Sequence, residues 1–218
     1  KAIGTPMKGT DDTSTGYFAC SKDFHPSKPI LAAVFGYGFE SVVEVYNYKT
    51  DERLLNRFKL GKKGGSVTQT FFTENGEYLV TVVHNILTVF SAKTWERVFS
   101  PIEFDASFIV AKEIPNQHEL IIKKVDSETP DSKGGEPFNV VSLSNGELND
   151  FHIPSNESYK GLEFSKNGQM LVLHRHNGDI DLVTGLKKKP ILNLSGDGFP
   201  IVRADFSLSG RYLALASE

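Results

Sequence analysis

Apolar and polar positions repeat along this chain in one recurrent phrase. It reads phenylalanine, serine or threonine, two variable residues, glycine, two more residues, then leucine and an apolar run. Three copies are FTENGEYLVTV from Phe72, FSKNGQMLVLH from Phe164 and FSLSGRYLALA from Phe206. Looser copies begin at Phe24, with proline in place of the turn glycine, and at Ile114, one residue shorter. A polar turn before an apolar run predicts a β-turn that leads into a buried strand.

The leucines that follow these turns set the period of the repeat. They are Leu31, Leu79, Leu120, Leu171 and Leu213, at successive separations of 48, 41, 51 and 42 residues. The segments between them, such as SVVEVYNY and FNVVSLSN, are short, β-rich and separated by polar turns, and we find no amphipathic helix of ten or more residues. A period of about 40–50 residues built from short strands is typical of a β-propeller blade.

Each period divides into four strands. In the second period these are VTQTFFT, YLVTVVH, ILTVFSAKT and ERVFSPIEF. The second strand is apolar on both faces, as expected between packed sheets, whereas the third and fourth alternate like strands near water. We therefore predict an all-β chain, a β-propeller of four-stranded antiparallel blades, with four full blades and the first two strands of a fifth.

From Tyr17 onward the chain resembles the WD-repeat propeller family. The phrase Phe-Ser-x-x-Gly-x-x-Leu is that family's entry to its second strand, and residues 45–50 (VYNYKT) and 89–94 (VFSAKT) occupy the place of its Trp-Asp signature. Neither a Trp-Asp nor a Gly-His dipeptide occurs, and residues 64–67 (GGSV) stand where Gly-His would open a blade. The resemblance implies degenerate blades without the family's buried His–Asp hydrogen-bond network.

The repeat also suggests how the chain is divided. We expect residues 1–16 to form an N-terminal coil or short strand and residues 17–218 to form the partial propeller. A longer parent chain, a partner that completes an open propeller, or a returning N-terminal segment would each account for the incomplete blade. We favour the first, since residues 1–15 have little β character. The edge from Tyr212 to Ser217 is then covered by a neighbouring chain or by further sequence, or it is left bare.

Composition narrows the functional classes. A net charge of −3 and a pI near 6.1 give no global electrostatic reason to bind nucleic acid. The single cysteine, Cys20, allows no intramolecular disulfide and mildly favours a reducing compartment. No apolar stretch approaches the roughly 18 residues of a membrane span. We expect a cytoplasmic or nuclear protein that does not insert into membranes.

Two segments contain residues that could form a metal site or a phosphate-binding loop. In HRHNGDID (residues 174–181), His174 and His176 are two apart on a strand and could approach one metal ion with the aspartates that follow. We prefer to interpret this segment as the end of a strand followed by a polar turn at residues 177–178, because the spacing of its residues identifies no third metal ligand. Residues 61–66 (GKKGGS) lack the order of a phosphate-binding loop and precede a strand, so we expect a loop between blades. We predict no catalytic residue, cofactor or metal.

Partner-binding candidates come from three places. Trp95, the only tryptophan, lies at a turn between the third and fourth strands, either as an exposed anchor or folded over the blade edge. Lysines in two loops could contact RNA, although solvated loops are the default. The full set of candidates is Trp95, Lys62, Lys63, Lys187, Lys188, Lys189, Tyr212 and Leu213.

The leading functional hypothesis is a non-enzymatic β-propeller scaffold for protein–protein interactions in a larger intracellular assembly. It rests on the fold and on the lack of a visible catalytic set, so the step to function is an analogy. One alternative is the propeller domain of a prolyl oligopeptidase-like hydrolase whose catalytic domain lies outside this chain. Another is a translation or ribosome-assembly propeller that contacts RNA.

Overall fold

The computed structural model describes residues 18–37, 40–60, 67–125, 138–151, 159–184, 190–196 and 198–217. In these ranges all regular secondary structure is β, with 18 strands and no helix, and so no helix that could cross a membrane. The all-β class predicted from the repeated phrase is confirmed.

The strands form five sheets in which neighbours follow chain order and pair antiparallel. The first sheet contains β1 (Phe18–Phe24), β2 (Ile30–Tyr37), β3 (Glu40–Asn47) and β4 (Glu52–Lys59). The second contains β5 (Val67–Phe72), β6 (Tyr78–Val83), β7 (Ile86–Ser91) and β8 (Ile102–Glu103). The third contains β9 (Phe108–Ile114), β10 (Glu119–Val125), β11 (Phe138–Ser142) and β12 (Leu148–Phe151). The fourth contains β13 (Tyr159–Phe164), β14 (Met170–Arg175), β15 (Ile180–Thr184) and β16 (Leu192–Leu194). The fifth has two strands, β17 (Ile201–Phe206) and β18 (Leu213–Ser217).

The fourth strand of the second sheet is much shorter than the sequence predicted. Residues 96–104 were expected to be continuous strand, but only Ile102 and Glu103 are, with one isolated bridge from Phe90 to Arg97. Pro101 precedes the short strand and has no N–H to donate to a ladder, so regular pairing stops before it.

The chain divides into two compact units, residues 1–111 with 143–146, and residues 112–142 with 147–218. In the first unit, apolar residues of β2 and β3 pack with residues of the second sheet, including Phe72, Leu79 and Phe90. In the second unit, one core joins residues of the third and fourth sheets, and a smaller one joins Val172 and Ile180 to Ile201 and Ala204. These cores between sheets explain why the second strands are apolar on both faces.

The recurrent phrase forms the same turn in three sheets. Gly76, Gly168 and Gly210 have φ of 70°, 70° and 69°, a left-handed conformation that glycine adopts without strain. In each turn the hydroxyl of the residue after phenylalanine accepts a backbone N–H from five residues ahead, as Ser165 Oγ does from Met170 at 2.9 Å. The serine or threonine and the glycine of the phrase are therefore explained by the turn that they build.

A β-bulge recurs in the first strand of four sheets. The extra residues are Cys20, Thr68, Lys160 and Val202, each unmatched in the register with the second strand. A bulge bends the strand and increases its twist. Nothing in the spacing of apolar residues predicted it, because the phrase begins at the phenylalanine four residues later.

Candidate functional site

Each four-stranded sheet buries a polar residue at the same place in its third strand. The position lies two residues before the residue that pairs with the repeat leucine, as in the pairs Leu31–Tyr46 and Leu171–Val183. Its occupants are Glu44, Thr88, Asn139 and Asp181, all less than 9% exposed. Because burying a polar group is costly unless it is hydrogen-bonded, each of these residues needs a partner or marks a candidate site.

In the fourth sheet the buried group is Asp181, which is fully covered. Arg175 donates two hydrogen bonds of 2.9 Å to its carboxylate. The same carboxylate accepts hydrogen bonds from the Tyr159 hydroxyl at 2.8 Å and from the Asn193 side-chain amide at 3.0 Å. The carboxylate that the sequence offered as a metal ligand is thus engaged by protein donors. No cluster of three potential metal ligands occurs among the described residues.

The equivalent groups of the first and third sheets have different partners. The carboxylate of Glu44 accepts a hydrogen bond from the Tyr46 hydroxyl and lies 3.7 Å from Arg53 Nη2. The guanidinium of Arg53 also lies over the Tyr46 ring. Asn139 donates to Asp150 at 2.7 Å, while no donor in the described part of the chain reaches its buried Oδ1. The variety of partners indicates a structural position rather than one shared reaction.

His174 lies in the fourth sheet opposite Gly161 and is buried, and His176, at the turn, is exposed. Burial lowers the pKa of His174; Glu163 opposes that shift, and Lys160 and Lys112 add to it. The turn at residues 177–178 follows the end of β14, as the preferred reading of this segment predicted.

A second buried histidine joins the first two sheets. His25 Nε2 lies 3.0 Å from the carbonyl oxygen of Gly76, and its Nδ1 accepts the backbone N–H groups of Ser27 and Lys28, both at 3.1 Å. These partners require the neutral ring with its proton on Nε2. Burial lowers the pKa of His25, Lys28 lowers it further, and the Gly76 hydrogen bond opposes both.

Trp95 is placed at the predicted turn between the third and fourth strands of the second sheet. Its side chain is half-buried against the core of the first unit, edge-on to Phe72 with ring centroids 6.4 Å apart. Its φ of 60° is unusual for a bulky residue, so packing must hold it there. Of the two alternatives predicted for Trp95, the side chain folded over the blade edge fits this geometry better than the exposed anchor.

The remaining candidates divide into two groups. Lys62, Lys63, Lys187, Lys188 and Lys189 lie outside the described residues. Tyr212 is 74% exposed at the turn of the fifth sheet, whereas Leu213 is half-buried against the small core of the second unit. Of these remaining candidates, Tyr212 and Leu213 are the two that lie in the described part of the chain.

Exposed apolar side chains concentrate at this fifth sheet. We call Phe199, Val202, Leu208, Tyr212 and Leu215 the apolar patch; their exposures run from 41% to 81%. In β18 every residue after Leu213 is exposed, whereas the equivalent strands β6 and β14 are buried along most of their length. These exposed side chains are candidate contacts, whether for another protein or for further residues of a longer chain.

Sequence reasoning missed Leu208, the most exposed residue of the patch. The signal was present, because the same turn position is Glu74 in the second sheet and Lys166 in the fourth. An apolar residue therefore stands where two sister turns carry a charged one.

Comparison with known proteins identifies the architecture. No protein-family model and no curated protein matches this chain. The β-propeller domain of Cps50 (Swd1) from Myceliophteria thermophila superposes with a TM-score of 0.67 at 15% identity, over 94% of this chain and 64% of that one. The chain forms blades of a β-propeller. The predicted fold class is confirmed, and each four-stranded sheet is one blade.

A second similar structure is the computationally designed Ika8 protein, with a TM-score of 0.59 and 17% identity, over 86% of this chain and 52% of that one. This propeller chain thus spans less than two thirds of the length of both proteins. At such identities the likeness shows the fold alone.

Proposed function

We propose that this chain is a non-enzymatic propeller scaffold of the WD-repeat type that binds other proteins, in a cytoplasmic or nuclear assembly. The observation that carries the proposal is the fold, blades of a β-propeller similar to the propeller domain of Cps50 (Swd1), and exposed side chains such as Leu208 and Tyr212 are candidate contacts. The turn phrase Phe-Ser-x-x-Gly-x-x-Leu supports the WD-repeat assignment.

The buried polar groups support a role without catalysis. The carboxylates of Asp181 and Glu44 are bound by arginine and tyrosine side chains inside their own blades. Catalytic groups instead need access to substrate and a partner poised for proton transfer. These engaged groups favour the scaffold hypothesis over an active site within the described blades.

Affinity capture with paired variants tests the proposal. The wild-type chain, the double variant Leu208→Ser and Tyr212→Ser, and the control Phe24→Ser would each be immobilised and exposed to lysate, followed by mass spectrometry. Phe24 is 57% exposed but lies in the first blade, so it controls for general stickiness. We expect a constant protein set that the double variant loses and the control retains.

Two results would contradict the scaffold. One is the absence of any reproducible set of proteins on the wild-type chain. The other is equal loss with the Phe24→Ser control, which would mean that exposed apolar residues in general, rather than the patch, retain the proteins.

A further inference from the structure

His25 stands in the recurrent phrase at the position that elsewhere holds a hydroxyl side chain. In the three close copies, the residue after the phenylalanine is Thr73, Ser165 or Ser207, and its hydroxyl accepts a backbone N–H of its own turn. In the first blade the Nδ1 atom of His25 takes this role and accepts the N–H groups of Ser27 and Lys28. A hydroxyl keeps this role at any ordinary pH, whereas an imidazole loses it once Nδ1 is protonated.

The second blade encloses the other side of the His25 ring. Its Nε2 atom lies 3.0 Å from the carbonyl oxygen of Gly76, and the ring packs against Phe72 with centroids 5.1 Å apart. His25 is 6% exposed, so a positive charge on the ring would be poorly hydrated in this place. The ring therefore joins its own turn to the turn of the next blade as long as it is neutral.

A second proton on the ring is incompatible with these contacts. It would lie on Nδ1 and face the N–H groups of Ser27 and Lys28, each 3.1 Å away, so both would lose their acceptor. The ammonium group of Lys28 also disfavours a charged ring. Protonation therefore requires the ring to leave its site.

Carboxylates also occur near this contact, although they do not reverse the effect of burial. Asp23 precedes the ring on β1, and Glu74 and Glu77 flank Gly76 in the turn of the second blade. Burial is nevertheless the largest influence on His25 and keeps its pKa below the ordinary value.

We propose that the turn formed by residues 25–28 is an acid-sensitive switch at the contact between the first two blades. On acidification the ring takes up a proton and leaves the carbonyl of Gly76, and the N–H groups of Ser27 and Lys28 lose their acceptor. The opening is local, because the carboxylate of Asp23 accepts the backbone N–H of Phe72 at 2.8 Å and so joins β1 to β5 without the ring. This inference goes beyond the scaffold function and does not depend on it.

The direction of the switch follows from proton linkage. In the open turn the imidazole has an ordinary pKa near 6.5, and burial lowers the pKa of the enclosed ring below that value. Between the two pKa values the open form binds more protons, so its population rises as the pH falls. The rise is about tenfold per pH unit at most, and it ends below the pKa of the enclosed ring.

Amide hydrogen exchange of the full chain tests the switch when it is followed by NMR from about pH 7.5 to 5 and corrected for the intrinsic rate at each pH. The protection of Ser27 and Lys28 should fall several-fold, up to about tenfold, between pH 7.5 and 5.5. Met170 is the internal control, since the hydroxyl of Ser165 accepts its N–H and does not titrate in this range, so its protection should stay constant. Low urea should not change the exchange of Ser27 and Lys28, as expected of a local opening.

His25→Asn is the matched variant, because the asparagine carbonyl can accept the same N–H groups without titrating. It should abolish the pH dependence of protection at Ser27 and Lys28. Proton–nitrogen correlation spectra of the wild-type ring should place its proton on Nε2 at neutral pH. The proposal is overturned if the two amides show no pH dependence, if Met170 changes equally, if His25→Asn retains the dependence, or if the neutral ring carries its proton on Nδ1.

Discussion

At the scale of single residues, the turn glycines do more than allow a left-handed backbone. A Cβ on Gly76 would lie 2.4 Å from His25 Cε1 in the neighbouring blade. On Gly168 it would lie 2.6 Å from the carbonyl oxygen of Pro115. The glycine of the phrase therefore serves two purposes, the turn itself and the close approach of the preceding blade.

Gly76→Ala should destabilise the chain by about 2–4 kcal/mol, because it combines left-handed strain with overpacking against the His25 ring. Chemical denaturation measures this. Gly198→Ala is the control, since Gly198 has a φ of 88° with nothing within 4 Å of a Cβ, and it should cost only about 1 kcal/mol. Equal losses in the two variants would show that the contact with His25 contributes nothing.

His25 should make stability depend on pH. Burial lowers its pKa in the folded chain below the ordinary value of 6.5, so between that lowered pKa and 6.5 the unfolded chain binds more protons. Stability contributed by His25 is then complete above pH 6.5 and is lost as the pH falls toward the folded-state pKa. The unfolding free energy, measured by denaturation at several pH values from 7.5 to 5, should depend less steeply on pH in His25→Asn than in the wild-type chain. An unchanged slope would contradict the neutral ring.

At the scale of the elements, the buried aspartate of the third strand connects the other three strands of the fourth blade. In the fourth blade Asp181 bonds residues of β13, β14 and β16. The sequence offered this aspartate as a metal ligand and did not predict the network, because Tyr159 and Asn193 lie 22 and 12 residues from it in the chain.

Asp181→Asn should cost about 3 kcal/mol of unfolding free energy, because the partly buried Arg175 loses its counter-charge. Thermal or urea denaturation measures the loss. The exposed Asp205 on β17 is the control, and Asp205→Asn should change stability by less than about 0.5 kcal/mol. If Asp181→Asn were as mild as the control, the ion pair would not stabilise the blade.

At the scale of the whole chain, the only tryptophan of the sequence belongs to the first of the two compact units. Trp95 packs on Phe72, so its fluorescence should report unfolding of the first unit. Gly76→Ala should shift the fluorescence transition more than Asp181→Asn does, although both shift the circular dichroism signal. Identical shifts in both probes for both variants would indicate one cooperative transition instead.

The repeat made most of this architecture predictable. Strand order, the strand count of each blade and the turn at Gly168 follow from periodicity and from residue types with strong local preferences. The interruption before β8 was missed, although Pro101 was visible, because apolar alternation continues through it. The bulges and the Asp181 network depend on pairing between distant residues, which a single-sequence pattern does not contain. Leu208 was missed because the turn is recognised by its glycine and its serine or threonine, and Leu208 occupies one of its variable positions.

The recurrent bulge has a consequence for comparing blades. From Cys20 to Phe24, Thr68 to Phe72, Lys160 to Phe164 and Val202 to Phe206, the chain advances by the same four residues. The spacing between the bulge and the phenylalanine of the recurrent phrase is thus the same in these four blades. In an alignment of these blades with distant proteins, length differences belong on the N-terminal side of the bulge, where an added or removed residue shifts neither the phenylalanine nor the turn.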